Sequence, residues 1–393
     1  MRRLHVVGLS LAFLSLALLV VSAQAGAAKL QAGKVKQTAR PVRVLAMDGP
    51  RVAYMRSDRR VGVWNVVTGA TSMVNGNYPN NGRKFGYGSG EVAIAGERVA
   101  LITRFVIGND EQTQERLYTA RLGGTVRQLG KLTNHLTDPE LCEQSDPGLS
   151  DGNWIAGVVG SGKMLAVSTW KATDSVAGNE RLDLVTPTGL RTIATGPGAV
   201  VARSANGGHV AVLRATSTWP PIGDVGPGTS TPTVGVYSGD GALLGEIALP
   251  STTITCGVNP RIEIALSGNE LVVLTSSPPA SPTFAVYDWT AGTLLHTWTQ
   301  QRGGCNTFAA AGQLVAYPVA CNIGGTTRLH LLDLTTGRDV VIAHAHGNGG
   351  YVTAMNSHGL VYSANPYAPT RAHGKLVFVP TAKLLAALDT QQR

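Results

Sequence analysis

Val286–Leu295 reads VYDWTAGTLL: an apolar β-strand through Val286, Tyr287 and Trp289, a tight Thr-Ala-Gly turn, and a second strand from Leu294. Related segments begin at Val63 (VWNVVTGAT), Leu184 (LVTPTGLRT), Val236 (VYSGDGALL) and Leu331 (LLDLTTGRD). Weaker copies begin at Tyr118 (YTARLGGTV) and Val377 (VFVPTAKLL), which makes seven. Strand-turn-strand units recurring every roughly 45–65 residues point to propeller blades.

A second marker keeps the same count. Upstream of each copy lies a Gly-bearing turn and an apolar strand: DGPRVAYM from Asp48, AGERVALI from Ala95, SGKMLAVS from Ser161 and NGGHVAVL from Asn206. The series continues with SGNELVVL from Ser267, AGQLVAYP from Ala311 and SHGLVYSA from Ser357. Glycine supplies the positive φ that tight hairpin turns need. The expected fold is therefore all-β, a seven-bladed β-propeller of four-stranded antiparallel blades over residues 41–388.

The chain opens with Arg2 and Arg3, an apolar run from Val6 to Val21, and Ala23-Gln24-Ala25, a small-x-small cleavage pattern. Residues 1–25 thus read as a secretory signal peptide, with a mature start near Gly26. The apolar run is shorter than the ~20 residues of a membrane span, and no later stretch is long and apolar enough to be one. Removing two arginines and no acid takes the formal charge from +9 to +7. Such a basic balance bears on solubility and long-range steering, not on fold. Residues 26–40 are small and polar and read as a flexible leader, in which Lys34–Thr38 could pair beside the last blade. Four strands are already expected from the C-terminal part, the last at Lys383–Leu388, so closure by the leader is optional. Residues 389–393 read as a tail.

The a–b and c–d turns are short, whereas the b–c and d–a connections are long and irregular. They are Asn75–Gly90, Ile107–Arg116, Thr133–Gly152, Thr173–Glu180, Ser217–Pro232, Pro278–Pro282 and Asn365–Gly374. In an up-down meander alternate connections share a side, so every long loop belongs to one face. Variable loops on a rigid scaffold are where binding residues concentrate.

Four cysteines in an exported chain imply disulfides. Cys305 and Cys321 flank one hairpin on the long-loop face, and their pairing is expected. Cys142 and Cys256 enter blades three and five on that face and could pair across the channel mouth, four cysteines allowing three connectivities. No C-x-x-C spacing appears, and no metal site is expected.

Linear motifs of chemistry do not survive their context. Gly148-Leu149-Ser150-Asp151-Gly152 matches G-x-S-x-G, but a strand rather than a helix follows it, so it reads as a turn. His344 and His346 share a strand face without a third ligand. Asp138, Glu140, Glu143, Asp146 and Asp151 lack the spacing of a calcium loop and read as a solvated acidic loop. No catalytic residue is assigned.

The charges on the long-loop face are uneven. Arg56, Arg59, Arg60, Arg83 and Lys84 cluster on blade one, Arg371, His373 and Lys375 on blade seven, and the acids on the blade two–three connection. Such asymmetry would orient a charged partner. Tyr78, Phe85, Tyr87, Trp170, Trp219 and Tyr367 fall in or beside long loops, where Tyr and Trp serve as interface anchors. Trp170, at a strand end, reads as pinning its own loop. The basic stretch lacks the interleaved aromatics that stack bases, so nucleic acid is not an expected partner.

VYDWTAGTLLHTW, from Val286 to Trp298, resembles the repeat of quinoprotein-type and WD40-like propellers, whose strand c ends in Asp and a Thr-Gly turn. Asp288 and Asp333 match that aspartate, and Asn65 replaces it in blade one. SANGGHVAV from Ser204 is similar to the a–b turn of TolB-type propellers. The recurrent Gly-His of WD40 repeats, the sialidase-type Asp box and the blade-docking tryptophans of quinoproteins are absent, so no cofactor site carries over. The resemblance implies a fold and a tendency to bind partners. The expectation is a secreted, monomeric scaffold of the cell envelope that binds a protein or envelope component through Arg56, Arg59, Arg60, Arg83, Lys84, Trp219, Tyr367 and Arg371. It implies no cofactor. The alternative is a propeller hydrolase or lyase acting on an extracellular polymer such as glycan.

Overall fold

The computed structural model describes residues 33–75, 90–107, 112–135, 152–173, 176–196, 199–218, 228–254, 261–276, 281–300, 307–319, 325–346, 350–368 and 372–390. All four cysteines, the acidic stretch 138–151, and Arg83, Lys84, Trp219 and Arg371 lie outside the described residues.

Strand β1 (Lys34–Thr38) precedes the first blade. Blade one is β2 (Val42–Asp48), β3 (Arg51–Arg56), β4 (Val61–Asn65) and β5 (Thr71–Met73). Blade two is β6 (Gly90–Ala95), β7 (Arg98–Ile107), β8 (Gln112–Arg121) and β9 (Arg127–His135). Blade three is β10 (Gly152–Ser161), β11 (Met164–Thr173), β12 (Val176–Val185) and β13 (Leu190–Gly196). Blade four is β14 (Ala199–Asn206), β15 (His209–Thr218), β16 (Gly228–Ser238) and β17 (Leu243–Ala248), with β18 (Thr252–Ile254) paired to the start of β16. Blade five is β19 (Arg261–Ser267), β20 (Glu270–Ser276), β21 (Thr283–Asp288) and β22 (Thr293–Thr299). Blade six is β23 (Ala309–Ala311), β24 (Leu314–Val319), β25 (Thr326–Asp333) and β26 (Arg338–His346). Blade seven takes β27 (Tyr351–Asn356), β28 (Gly359–Ala364) and β29 (Gly374–Pro380) from the C-terminal part, followed by helix α1 (Thr381–Asp389).

Strands within a blade pair antiparallel in chain order. Burial follows position. The second strands are apolar runs closed in on both faces, as in β24, where every residue is buried. The outermost strands face solvent, as in β22, where all but one residue is exposed. The core is not one body but seven separate slabs, each filling one gap between neighbouring blades. One slab joins Val52, Tyr54 and Trp64 of blade one to Val361, Leu376 and Phe378 of blade seven, which closes the ring.

The repeat motif works through its aspartate. Asp288 Oδ1 accepts hydrogen bonds from Thr290 N (2.9 Å), Thr290 Oγ1 (2.6 Å) and Ala291 N (3.1 Å). Asp333 repeats this with Thr335 N and Thr336 Oγ1, and Asn65 with Val67 N and Thr68 N. The glycine that ends each of these turns has φ of 69°, 69° and 79°, the left-handed region closed to most side chains. Trp289 braces the first turn of its own blade, its Nε1 donating to Gly268 O at 2.8 Å, and its ring meets His209 of blade four edge-on at 5.5 Å.

Two expectations need correction. The last blade is closed by the N-terminal segment, since β1 pairs with β29 from Lys34↔Phe378 to Thr38↔Gly374. Lys34–Thr38 is thus a strand rather than part of a flexible leader. The segment Lys383–Leu388, expected as the fourth strand, lies in α1. Leu384 and Leu388 stand four apart on one helical face, are 0% and 3% exposed, and enter the core between blades six and seven. The second correction concerns loops. Ile107–Arg116 and Thr173–Glu180 are mostly paired strand, because β7 with β8 and β11 with β12 run as long hairpins up to Ile107↔Gln112 and Thr173↔Val176.

Candidate functional site

The two faces of the ring differ. On the short-turn face, turns of successive blades are laced together. Asp48 Oδ2 accepts from Gly96 N at 2.6 Å and its Oδ1 from Gly162 N at 2.8 Å, so one carboxylate ties blade one to blades two and three. Asn206 Oδ1 accepts from Gly268 N, Ser267 Oγ from Gly312 N, and Asn356 Nδ2 donates to Gly49 O. Backbone donors here are spent on the fold. Among the described residues the long-loop face carries Arg56, Asp58, Arg59, Arg60 and Tyr367.

On that face blade one presents the loop Ser57–Arg60. Arg56 grips Asp58 with both arms of its guanidinium, Nε to Oδ1 at 2.9 Å and Nη2 to Oδ2 at 2.5 Å. Burial pushes the Asp58 carboxyl up, but the Arg56 hydrogen bond and charge outweigh it and hold it below its ordinary value. Arg59 has φ of 64°, and its N–H donates to Arg56 O at 2.8 Å. Burial, then the nearby charge of Arg43, lowers its proton affinity. Arg60 is exposed, and its backbone N–H donates to Asp58 Oδ1 at 3.3 Å. Tyr367, 69% exposed, lies on neighbouring blade seven between β28 and β29. Of the eight residues expected to bind, four are described: Arg56, Arg59 and Arg60 share one loop, and Tyr367 stands on the next blade. Arg56 is committed to Asp58 within that loop.

Inner strands run from the long-loop face toward the short turns, so residues near their starts stand at the channel mouth. Glu91 is the second residue of β6. Arg104 of β7 donates to Glu91 Oε1 at 2.8 Å and to Glu115 Oε1 at 2.5 Å, and Glu91 Oε2 accepts Val158 N of blade three at 3.2 Å. Glu115 is fully buried. Across the ring, Glu263 of β19 lies 3.6 Å from Arg203 of β14. Burial, reinforced by the charge of Glu91, raises the Glu263 carboxyl above its ordinary value although Arg203 pulls it down. None of these residues stood out in the sequence. The signal was an acid inside the apolar run GEVAIA, while Glu115 fell in a stretch read as loop.

A third polar cluster sits inside blade six. Tyr317 Oη donates to Asp339 Oδ2 at 2.6 Å, His330 Nδ1 lies 2.9 Å from Asp339 Oδ1, and the Tyr317 and His330 rings stack at 5.3 Å. Burial and the Asp339 bond push the Tyr317 hydroxyl far above its ordinary value. The cluster clamps β24, β25 and β26 together. His346, at the end of β26, lies 2.9 Å from Thr326 Oγ1 through Nδ1. Among the described residues no three His, Cys, Asp or Glu side chains gather as metal ligands, and no helix is long and apolar enough to cross a membrane.

No protein-family model matches the chain, and no curated protein matches it. Among solved structures it is similar to the computationally designed Ika8 protein, at 13% identity and TM-score 0.43 over 88% of this chain and 98% of that one. It is similar to a chain of the Mitotic Checkpoint Complex, at 11% identity and TM-score 0.49 over 89% and 92%. The β-propeller domain of Myceliophteria thermophila Cps50 (Swd1) aligns at 11% identity and TM-score 0.47 over 88% and 100%. The fold itself rests on strand pairing and on the seven interblade slabs. Together they give an all-β propeller of seven four-stranded blades, with the single pair Gly152↔Asn134 joining the sheets of blades two and three.

Proposed function

We propose that this chain is an exported binding scaffold that docks a protein or another envelope component on its long-loop face. The observation that carries the reading is the division of labour between faces. Turn-to-turn hydrogen bonds lace the short-turn face, while the other face presents the exposed Arg60 and Tyr367 on a rigid ring. Export rests on the N-terminal residues 1–25 and their resemblance to a secretory signal. The test is capture from envelope extract with wild type beside an Arg60→Glu, Tyr367→Ala variant, read by mass spectrometry. A partner held by wild type and lost by the variant supports the reading; identical captures sink it.

One observation favours a second reading, a polymer-acting enzyme. Two carboxyls at the channel mouth have opposed environments: Glu91 is paired with Arg104, whereas burial raises Glu263 toward its neutral form. A carboxyl raised by burial can serve as the acid of glycoside cleavage, with a second carboxyl as its partner. Turnover on wall polysaccharides that is abolished by Glu263→Gln would support it, and a blank panel would count against it.

A further inference from the structure

At the short-turn end of blade two, a guanidinium is half-buried with no carboxylate to meet it. Arg98 opens β7, and its Nη1 donates to Val185 O of blade three at 2.8 Å. Its Nη2 is buried and has no hydrogen-bond partner among the described residues. Native folds leave few buried donors unpaired, and each asks for an explanation.

Strand register sets two more arginines beside it. Arg98 stands directly opposite Arg121 of β8. Side chains so opposed start ~5 Å apart at Cβ, and like charges there repel. Arg121 O accepts Gly124 N at 2.9 Å, a tight turn that returns β9 with Arg127 opposite Thr119. All three arginines belong to one side of the sheet. Ala100 of β7 and Leu117 of β8 fill the slab between blades two and three. Residues two apart along a strand share a face, as do directly opposed partners. Arg98, Arg121 and Arg127 therefore lie on the side toward blade three, as the Arg98 bond to Val185 O requires.

The charge gathered there is not balanced. Burial first, then the charges of Arg121 and Arg127, lowers the proton affinity of Arg98, and no carboxylate is among the charges it feels. Glu97, in the β6–β7 turn, is exposed and bonds none of the three. The blade-three turn that follows Val185 is Thr186-Pro187-Thr188-Gly189 and carries no acid. Elsewhere the chain matches such groups: Arg56 meets Asp58, Arg104 meets Glu115, and Arg181 meets Asp183. Opposed like charges cost stability, whereas a multiply charged anion between them would turn that cost into attraction.

We infer that Arg98, Arg121 and Arg127 form a phosphate-binding corner at the short-turn end of blade two. Arg98 is its floor, closed to water through Nη2, and the exposed Arg121 and Arg127 reach solvent and fold over the ligand. A phosphate monoester suits three guanidiniums better than a single carboxylate does, because it carries about −1.5 to −2 charge near pH 7 and three strong acceptor oxygens. Guanidinium forks match that geometry. The inference goes beyond the docking proposal: the corner lies at the opposite end of the ring, so the failure of either leaves the other standing.

The test is calorimetric titration of the full chain with inorganic phosphate, and separately with acetate, at fixed ionic strength. A parallel arm sediments the chain with phosphatidic acid vesicles beside phosphatidylcholine vesicles. Saturable phosphate binding is expected, weakened about tenfold in Arg121→Gln and in Arg127→Gln but nearly unchanged in Arg60→Gln on the other face. Binding to phosphatidic acid vesicles alone, lost in the same variants, would place the phosphate on a lipid headgroup and still support the corner. Binding in neither arm, acetate held as tightly as phosphate, or binding that Arg121→Gln leaves intact overturns it. Thermal unfolding without added anion separates a binding role from a structural one. Arg121→Gln is expected to melt at or above wild type, because it removes a charge directly opposite Arg98. A marked fall would make Arg121 structural and overturn the proposal.

Discussion

Arg104 stands between two carboxylates, and one of them, Glu115, has only 1% of its side chain exposed. Removing one partner of a buried ion pair leaves an uncompensated charge, which typically costs about 3–5 kcal/mol. Arg104→Met is therefore expected to lower stability by about that amount in urea unfolding, and the triple change Glu91→Gln, Arg104→Met, Glu115→Gln to recover much of it. Glu263 tests the opposite sign. Burial first, then the Glu91 charge, raises its folded pKa above the ordinary 4.5. A raised pKa means the fold holds the proton more tightly. Its contribution favours folding below the unfolded value and is lost as pH rises through the folded value. Glu263→Gln should thus unfold later than wild type at about pH 7.5 and show no advantage at about pH 4. Equal midpoints at both would show that Glu263 is not perturbed. These charges escaped sequence reading because single acids and bases inside strands carry no spacing rule. The turn aspartates Asp288 and Asp333 were legible because their chemistry is local: the acceptor and its donors lie within three residues.

At the scale of elements, the strands were legible and the chain's last segment was not. TAKLLAALD has no alternation, and its leucines at 384 and 388 fall on one helical face among Ala and Lys, all strong helix formers. The expectation of a strand came from counting four per blade, which overrode the local pattern. Pairing decided otherwise, because β1 had already taken the edge of β29. Helix α1 therefore covers the end of the blade six–seven slab, with Arg338 Nη1 3.1 Å from Asp389 Oδ1 at its far end. Leu384 is fully buried there, so Leu384→Ala should cost about 2–5 kcal/mol, the usual range for a large-to-small core change. The exposed neighbour Leu385→Ala is the control and should shift the denaturation midpoint little. If both variants matched wild type, the helix would not be docked as described.

For the molecule as a whole, the propeller was readable because repetition shows one blade's pattern many times over, even though the copy from Val377 runs into helix α1. The seam between blades one and seven was not, because it packs residues from opposite ends of the sequence against one another. That same seam is where the ring closes. Six interblade slabs join blades consecutive in the chain, while the seventh joins blade one to blade seven and is helped by β1. Without β1, β29 would present an unpaired edge, the kind that invites pairing with other chains. A chain starting at Arg40 should therefore still form its blades, yet unfold at lower temperature and aggregate at concentrations the full chain tolerates. Hydrogen exchange should locate the defect: amides of β28, β29 and β2 should lose protection while those of blades three to five keep it. Uniform loss of protection would mean that the ring opens as one cooperative unit. No loss would mean that the interblade slab between Tyr54, Trp64 and Phe378 closes the ring by itself.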